Sequence, residues 1–206
     1  AYYTGLAECG VLSDGDLDSF EKNDGDLPGH PILCEKLGVE MPGGSLGMGL
    51  PFGVGCALAS KLRKCSSRVF VVLGDGECNE GSIWEAAMAA AHYKLNRLCV
   101  IVDRNHLQYD GDTEEVMSLG DLTAKWSSFG WKTVSVNGHD VNALDSVLSV
   151  FPSSEKPLAV IAETIKGKGI SFMENNREWH HGRLSREQYE KAILELQAYA
   201  DKELKQ

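Results

Sequence analysis

The sequence predicts an α/β fold, a mostly parallel sheet with helices on both faces. Three short and almost wholly apolar runs carry that expectation: residues 69–73 (VFVVL), 98–102 (LCVIV) and 158–163 (LAVIAE), each set between segments with helical spacing. Strands that are apolar throughout are buried on both faces, and alternation with helices is what joins such strands in parallel.

The elements follow in order. Tyr2, Tyr3, Leu6, Val11 and Leu12 have helical spacing, with no capping residue ahead of them. Ser13 to Asp16 (SDGD) reads as a turn that opens a second short helix over 17–21. Residues 25–53 are rich in glycine, proline and turn formers and read as helix-poor. Residues 53–63 (GVGCALASKLR) read as a helix of small side chains suited to close packing. The strand 69–73 stops at Gly74, Asp75 and Gly76. A helix over 82–93 places Ile83, Ala86, Ala87 and Ala90 on one face. The strand 98–102 stops at Asp103, Arg104 and Asn105. A helix over 122–129, a strand over 132–136, a helix over 141–151 and the strand 158–163 come next. The run 185–204 closes the chain as a helix, with Tyr189, Ile193, Leu196, Tyr199 and Ala200 on one side. No repeat, linker or low-complexity tract interrupts the pattern, and 206 residues suit a single domain over 1–206.

Bulk properties exclude several classes. Net charge is −10 with acids and bases interspersed, which argues against nucleic acid and anionic membranes as partners. No apolar run approaches the ~20 residues of a membrane span. Residues 1–10 have no basic leader and carry Glu8, unlike a signal peptide. Six cysteines without a CxxC pair fit a reduced, cytoplasmic protein better than a zinc site or a disulfide framework.

Ligands of open parallel sheets bind beyond the carboxyl ends of the strands. Two such ends here are polar: Gly74-Asp75-Gly76, and Asp103 to Asn105, with Asn105 30 positions after Asp75. One strand–helix–strand unit fills that interval, so the two ends lie side by side. A carboxylate and a carboxamide oxygen facing a common point suit Mg²⁺ or Ca²⁺, with a diphosphate supplying further oxygens. Glycines beside Asp75 admit close approach of backbone to phosphate, and the N-terminus of the next helix favours an anion. Either feature alone is more often a structural turn. Together, at this spacing, they match the thiamine-diphosphate motif of GDG followed by Asn.

On these residues the sequence resembles the transketolase family. GDGECNEGSIWEAAMAAAHYKL, from Gly74, and VIVDRNHLQYDG, from Val100, are similar to its diphosphate-binding domain. PGHP around His30, GGSLGMG from Gly43, VNGHD from Val136, TIKGKG from Thr164 and WHHG from Trp179 resemble further family segments. The resemblance implies that Asp75 and Asn105 bind Mg²⁺ through side chains and Leu107 through its carbonyl, with Ca²⁺ a substitute. It implies that Gly76 donates its backbone N–H to the diphosphate, with Gly74 beside it in the cofactor site, and that Gly44 and Leu46 lie around the aminopyrimidine and thiazolium. Tyr109 falls at the position packing on the pyrimidine. His30 and His181 face substrate and can move protons, and Glu80 joins an acidic network across a subunit interface. His181 is preferred to His180 because Gly182 follows it.

The family's upstream segment has no counterpart before Ala1, and its pyrimidine-binding domain, whose glutamate activates the cofactor, has none after Gln206. The charged tail 201–206 reads as a natural stop. The resemblance therefore implies the N-terminal subunit of a split transketolase, forming α2β2 with a C-terminal subunit that carries the pyrimidine-binding domain. The implied reaction moves a two-carbon ketol unit from a ketose or ketose phosphate to an aldose. Alternatives are the α subunit of a 2-oxo-acid dehydrogenase, another acyloin-forming enzyme, or a non-catalytic homologue. A nicotinamide-binding domain lacks support, because no GxGxxG follows a strand.

Overall fold

The computed structural model describes residues 2–203, so Leu204 and the last part of the charged tail lie outside the described residues. The chain divides into two compact units, the first ending at Leu46 and the second beginning at Gly47.

The first unit is built on little regular structure. Helix α1 (Tyr2–Glu8) is followed by α2 (Asp14–Leu17), and a 3-10 turn spans Glu35–Leu37. Helix α2 starts where Ser13 and Asp16 form a reciprocal capping box, which places it one turn earlier than the expected 17–21. Tyr3, Leu12, Leu27, Leu37 and Val39 make a small core of their own. The Tyr3 hydroxyl donates to the Pro28 carbonyl at 2.8 Å, fixing the chain two residues before His30.

The second unit holds the α/β fold. Its elements are α3 (Gly49–Leu62), β1 (Val69–Gly74), α4 (Gly81–His92), β2 (Leu98–Arg104), β3 (Leu107–Gln108), β4 (Gly111–Asp112), α5 (Thr113–Met117), α6 (Leu122–Ser128), β5 (Lys132–Asn137), α7 (Val141–Leu148), β6 (Leu158–Glu163) and α8 (Arg186–Glu203). Four strands form a parallel sheet in the order β1-β2-β6-β5, and β3 and β4 form a separate antiparallel hairpin. The expected parallel α/β architecture is what the structure contains.

Helix α3 begins at Gly49, not at residue 53. Pro51 falls in its first turn, where a missing N–H goes unused, so glycine and proline there are compatible with a helix start. Helix α7 ends at Leu148, one turn short of the expected 151. The hairpin β3–β4 and the short helix α5 were not anticipated.

One face of the sheet, through Val71, Leu73, Val100, Val102, Ala159 and Ile161, packs on α3, α4 and α6. The helix residues Ile83, Ala86, Ala87 and Ala90 are buried there, as their spacing predicts. The other face, through Cys99, Leu158 and Val160, packs with Leu144, Val147 and Leu148 of α7. That cover stops short of β1, whose Phe70 and Val72 are exposed. All six cysteines are free, and no helix among the described residues is long and apolar enough to cross a membrane.

Candidate functional site

Parallel registry fixes the first two strand ends side by side: Gly74 of β1 pairs with Asp103 of β2. The Asp75 N–H donates to the Asp103 carbonyl at 3.2 Å, continuing the ladder one residue past β1. The Asp75 side chain then turns inward and is 1 % exposed. Its Oδ1 accepts the Gly76 N–H at 2.8 Å and its Oδ2 accepts the His106 N–H at 2.7 Å. Burial pushes the Asp75 carboxyl above its usual range, against the downward pull of those two N–H donors. None of the salt bridges among the described residues involves Asp75.

Asn105 stands at the neighbouring strand end, with its Oδ1 accepting the Leu107 N–H at 3.1 Å. Thus the turn of Gly74, Asp75 and Gly76 and the strand end at Asn105 come together as the spacing predicts, and Leu107, which only the resemblance pointed to, follows two residues on. His106 sits between the last two with φ 63°, a left-handed conformation that costs a non-glycine residue about 1–2 kcal/mol. Gly76 is needed where it stands: a Cβ there would lie 2.6 Å from Gln108 Oε1 and 2.8 Å from Gln108 Cβ.

Residues that motif reading did not single out hold this corner. Glu77 accepts the Gly74 N–H at 3.2 Å with one oxygen and the Gly47 N–H at 2.8 Å with the other. Ser82 donates to the Gly47 carbonyl at 2.8 Å, so both sides of that glycine are gripped by the segment following the Asp75 turn. The Trp84 indole N–H donates to the Cys78 carbonyl at 2.8 Å, tying the turn to the aromatic cluster of Trp84, Trp126 and Phe129. The Cys78 thiol, buried behind the turn, is pushed up to about 12 by burial, which leaves it a packing group.

An open cavity of about 700 Å³ lies beyond the ends of β2, β5 and β6, lined by Asp103, Asn105, His139, Thr164, Lys166 and Lys168 among others. Of the two lysines on that lining, Lys168 is paired with Glu174 at 3.3 Å, which leaves Lys166 as the one without a salt bridge among the described residues. Thr164 donates to Asp103, holding that carboxylate on the cavity wall. Lys166 stands three positions after β6, inside the TIKGKG segment whose resemblance to the family marks the segment but assigns the lysine no role.

The histidine positions divide. In the first unit, His30 is exposed and its ring lies against Gly44, where a Cβ would come 2.6 Å from His30 Cδ2. Gly44 has φ 115°, so only glycine fits without strain. Leu46 is 62 % exposed. In the second unit Glu80 is exposed and makes no side-chain cap for α4, although it occupies the N-cap position. Tyr109, on the tip of the β3–β4 hairpin, packs its ring edge-on against His180 at 5.7 Å. Arg177 donates to the Asp110 carbonyl at 3.0 Å, so the 3-10 turn Arg177–His180 rests on that hairpin. Burial, then the nearby Lys166 and His181 charges, pull the His180 imidazole below its usual range. His181 follows that turn and is exposed.

These residues fit an implied metal in one specific sense. No group of three or more His, Cys, Asp or Glu among the described residues could hold an ion by itself. One buried carboxylate, one amide oxygen and one carbonyl are available, a hard-oxygen set short of six donors, which suits Mg²⁺ completed by phosphate oxygens and water.

A family model described as "Transketolase, thiamine diphosphate binding domain" matches residues 9–198. The chain belongs to the transketolase family. It is 42 % identical over 203 residues to one of the subunits of the apulose-4-phosphate transketolase of Phocaeicola vulgatus, a match covering 98 % of this chain and 72 % of that one. It is 36 % identical over 198 residues to the 6-deoxy-6-sulfo-D-fructose transketolase subunit SqwG of a Clostridium species, covering 96 % and 72 %. Among solved structures, transketolase from Campylobacter jejuni superposes with a TM-score of 0.82 at 30 % identity, covering 88 % of this chain and 30 % of that one. The chain therefore spans under a third of that transketolase and most of the two subunits. The resemblance read from the motifs holds, as do the α/β fold, the transketolase-type class and a thiamine-diphosphate-binding domain.

Proposed function

We propose that this chain is the cofactor-holding half of a two-chain transketolase, which moves a two-carbon ketol unit from a ketose, often phosphorylated, to an aldose. The observation that carries the reading is the Asp75–Asn105 corner: a buried carboxylate with no salt bridge among the described residues, beside an amide oxygen at the next strand end. A buried, unpaired charge is costly, and a divalent cation bearing a diphosphate would compensate it.

In this reading Asp75, Asn105 and the Leu107 carbonyl hold Mg²⁺, with Ca²⁺ able to replace it. Gly74 and Gly76, lacking Cβ atoms, let the diphosphate approach the backbone closely, and Lys166 supplies positive charge near the strand ends. Thiamine diphosphate, when bound, supplies the carbanion chemistry for breaking and making the carbon–carbon bond. Gly44 and Leu46 line the ring end, and Tyr109 contributes a wall on the hairpin. His30 and His181 donate or accept protons through imidazole nitrogen at sugar hydroxyl and carbonyl oxygens, for which their exposure leaves them free. Glu80, exposed and unused as a cap, reaches a partner subunit.

The partner is a C-terminal transketolase subunit carrying the pyrimidine-binding domain, in an α2β2 assembly. Relatives named as transketolase subunits, matched over most of their length, support that division. They also favour ketol transfer over the 2-oxo-acid route. The family match runs across both compact units, which supports treating 1–206 as one functional domain. Six free cysteines support a cytoplasmic location.

The test is purification of this chain with and without a transketolase C-terminal subunit that carries the pyrimidine-binding domain, followed by ketol transfer from a ketose phosphate with Mg²⁺ and thiamine diphosphate. Turnover only in the mixture is expected. Cofactor binding without ketol transfer would move the search to 2-oxo-acid donors.

A further inference from the structure

His106 separates the two predicted oxygen ligands Asn105 and Leu107, and no role above uses its side chain. Its backbone is left-handed, with φ 63°. Three contacts hold it so. Its N–H donates to Asp75 Oδ2 at 2.7 Å, and its carbonyl accepts the Thr113 N–H at 3.0 Å. Its ring Nε2 lies 3.0 Å from Oε2 of Glu163. Glu163 is the last residue of β6 and is paired in register with Arg104, so the sheet itself sets where that carboxylate stands. The second Glu163 oxygen lies 3.7 Å from Arg104 Nε, and the Arg104 guanidinium, mostly buried, also reaches Glu114 at 3.8 Å and the Gly120 carbonyl at 3.3 Å. A chain of charged groups thus runs from α5 through β2 and β6 to the ring of His106.

A strained backbone persists only where its surroundings over-determine it. The Thr113 and Asp75 contacts belong to the turn and to the carboxylate it faces. The ring contact alone ties the turn to a third strand. We propose that Glu163 is a positioning residue: by holding the His106 ring it keeps the 105–107 turn in the left-handed form that sets Asn105 and Leu107 against Asp75. Without that hold the turn relaxes toward negative φ and the His106 N–H leaves Asp75. The Glu163–His106 pair is about half exposed, so it adds little to global stability, and its effect is confined to the corner. The proposal rests on the reading of Asp75 and Asn105 as metal ligands.

The experiment uses Glu163→Ala, Glu163→Gln, His106→Ala and His106→Gly in the assembled enzyme. It measures Mg²⁺-dependent thiamine-diphosphate affinity, melting temperature and, without cofactor, hydrogen exchange over residues 106–108. Groups that orient metal ligands typically change affinity by ~10–100-fold, and about 10-fold weakening is expected for Glu163→Ala and His106→Ala. Glu163→Gln keeps an acceptor oxygen and should stay within about 3-fold of wild type. His106→Gly loses the ring but adopts positive φ freely, so it should bind more tightly than His106→Ala. Exchange over 106–108 should quicken in Glu163→Ala while the melting temperature hardly moves. Wild-type affinity in Glu163→Ala, or His106→Gly binding no better than His106→Ala, would overturn the proposal. Failure of the wild type to bind the cofactor would sink the proposed function itself. The hold on the turn would then be judged by exchange alone, and unchanged exchange in Glu163→Ala would refute it.

Discussion

The Asp75 corner and the histidine positions differ in how completely this chain builds them. Asp75 is buried, both its oxygens are occupied, and glycine, carboxylate and indole groups from neighbouring elements fix the turn around it. His30 and His181 are exposed, each beside a glycine-containing segment. A group that holds a diphosphate and metal profits from being pre-set before the ligand arrives, since reorganisation would be subtracted from affinity. A group that moves protons to a passing sugar must stay reachable. On the proposed function, the contrast would separate a holding role, built into the fold at Asp75, from a transfer role at the exposed histidines.

The sharpest way to break that contrast is at Asp75. Asp75→Asn should weaken Mg²⁺-dependent cofactor binding by more than about 100-fold, beyond what substitution of a group that merely orients a metal ligand costs. Without ligand the same variant loses the buried charge but also one of the two N–H acceptors, because its Nδ2 would face a donor, so the melt should shift by no more than about 1–3 kcal/mol while binding is lost. Calorimetric titration and a thermal melt read both. His181→Ala and His30→Ala should do the opposite, lowering kcat by roughly 100-fold as loss of a general acid–base does, with cofactor affinity and melting temperature near wild type. Steady-state kinetics beside the same titration separates the two classes.

Smaller effects sharpen the comparison further. Gly44→Ala meets both a φ of 115° and the His30 ring, so it should destabilise by more than about 1 kcal/mol in a denaturant melt, and Gly5→Ala, in open space, should not. Asp121→Ala removes the oxygen that accepts the Ala124 N–H at 2.9 Å and should cost about 1 kcal/mol without touching cofactor affinity.

Much of this was legible in the sequence because the sheet strands are short apolar runs and the site hangs on their ends. The strand 158–163 matches β6 at both bounds, and 98–102 falls inside β2. Asp75 and Asn105 were legible as a pair because one strand–helix–strand unit between two strand ends forces them together. The start of α3 was not, since Gly49, Leu50 and Pro51 read as a turn until Pro51 is seen in a first turn, where it is harmless. Nor was the β3–β4 hairpin, two residues per strand with no apolar alternation to mark it. The roles of Glu77 and Glu163 are illegible for a different reason. Their parts depend on contacts across strand ends, and nothing in the local sequence distinguishes them from ordinary surface charges. His106 is the extreme case, since its left-handed backbone lies between two motif residues and has no compositional sign.

The central claim is that the Asp75 corner is a place for a metal-bound diphosphate. The most direct test titrates thiamine diphosphate into wild type and Asp75→Asn, each assembled with the pyrimidine-domain subunit, with Mg²⁺ and with a chelator. The account predicts saturable binding in the wild type with Mg²⁺ and loss of it with the chelator or in Asp75→Asn. Equal binding in all four conditions would contradict it.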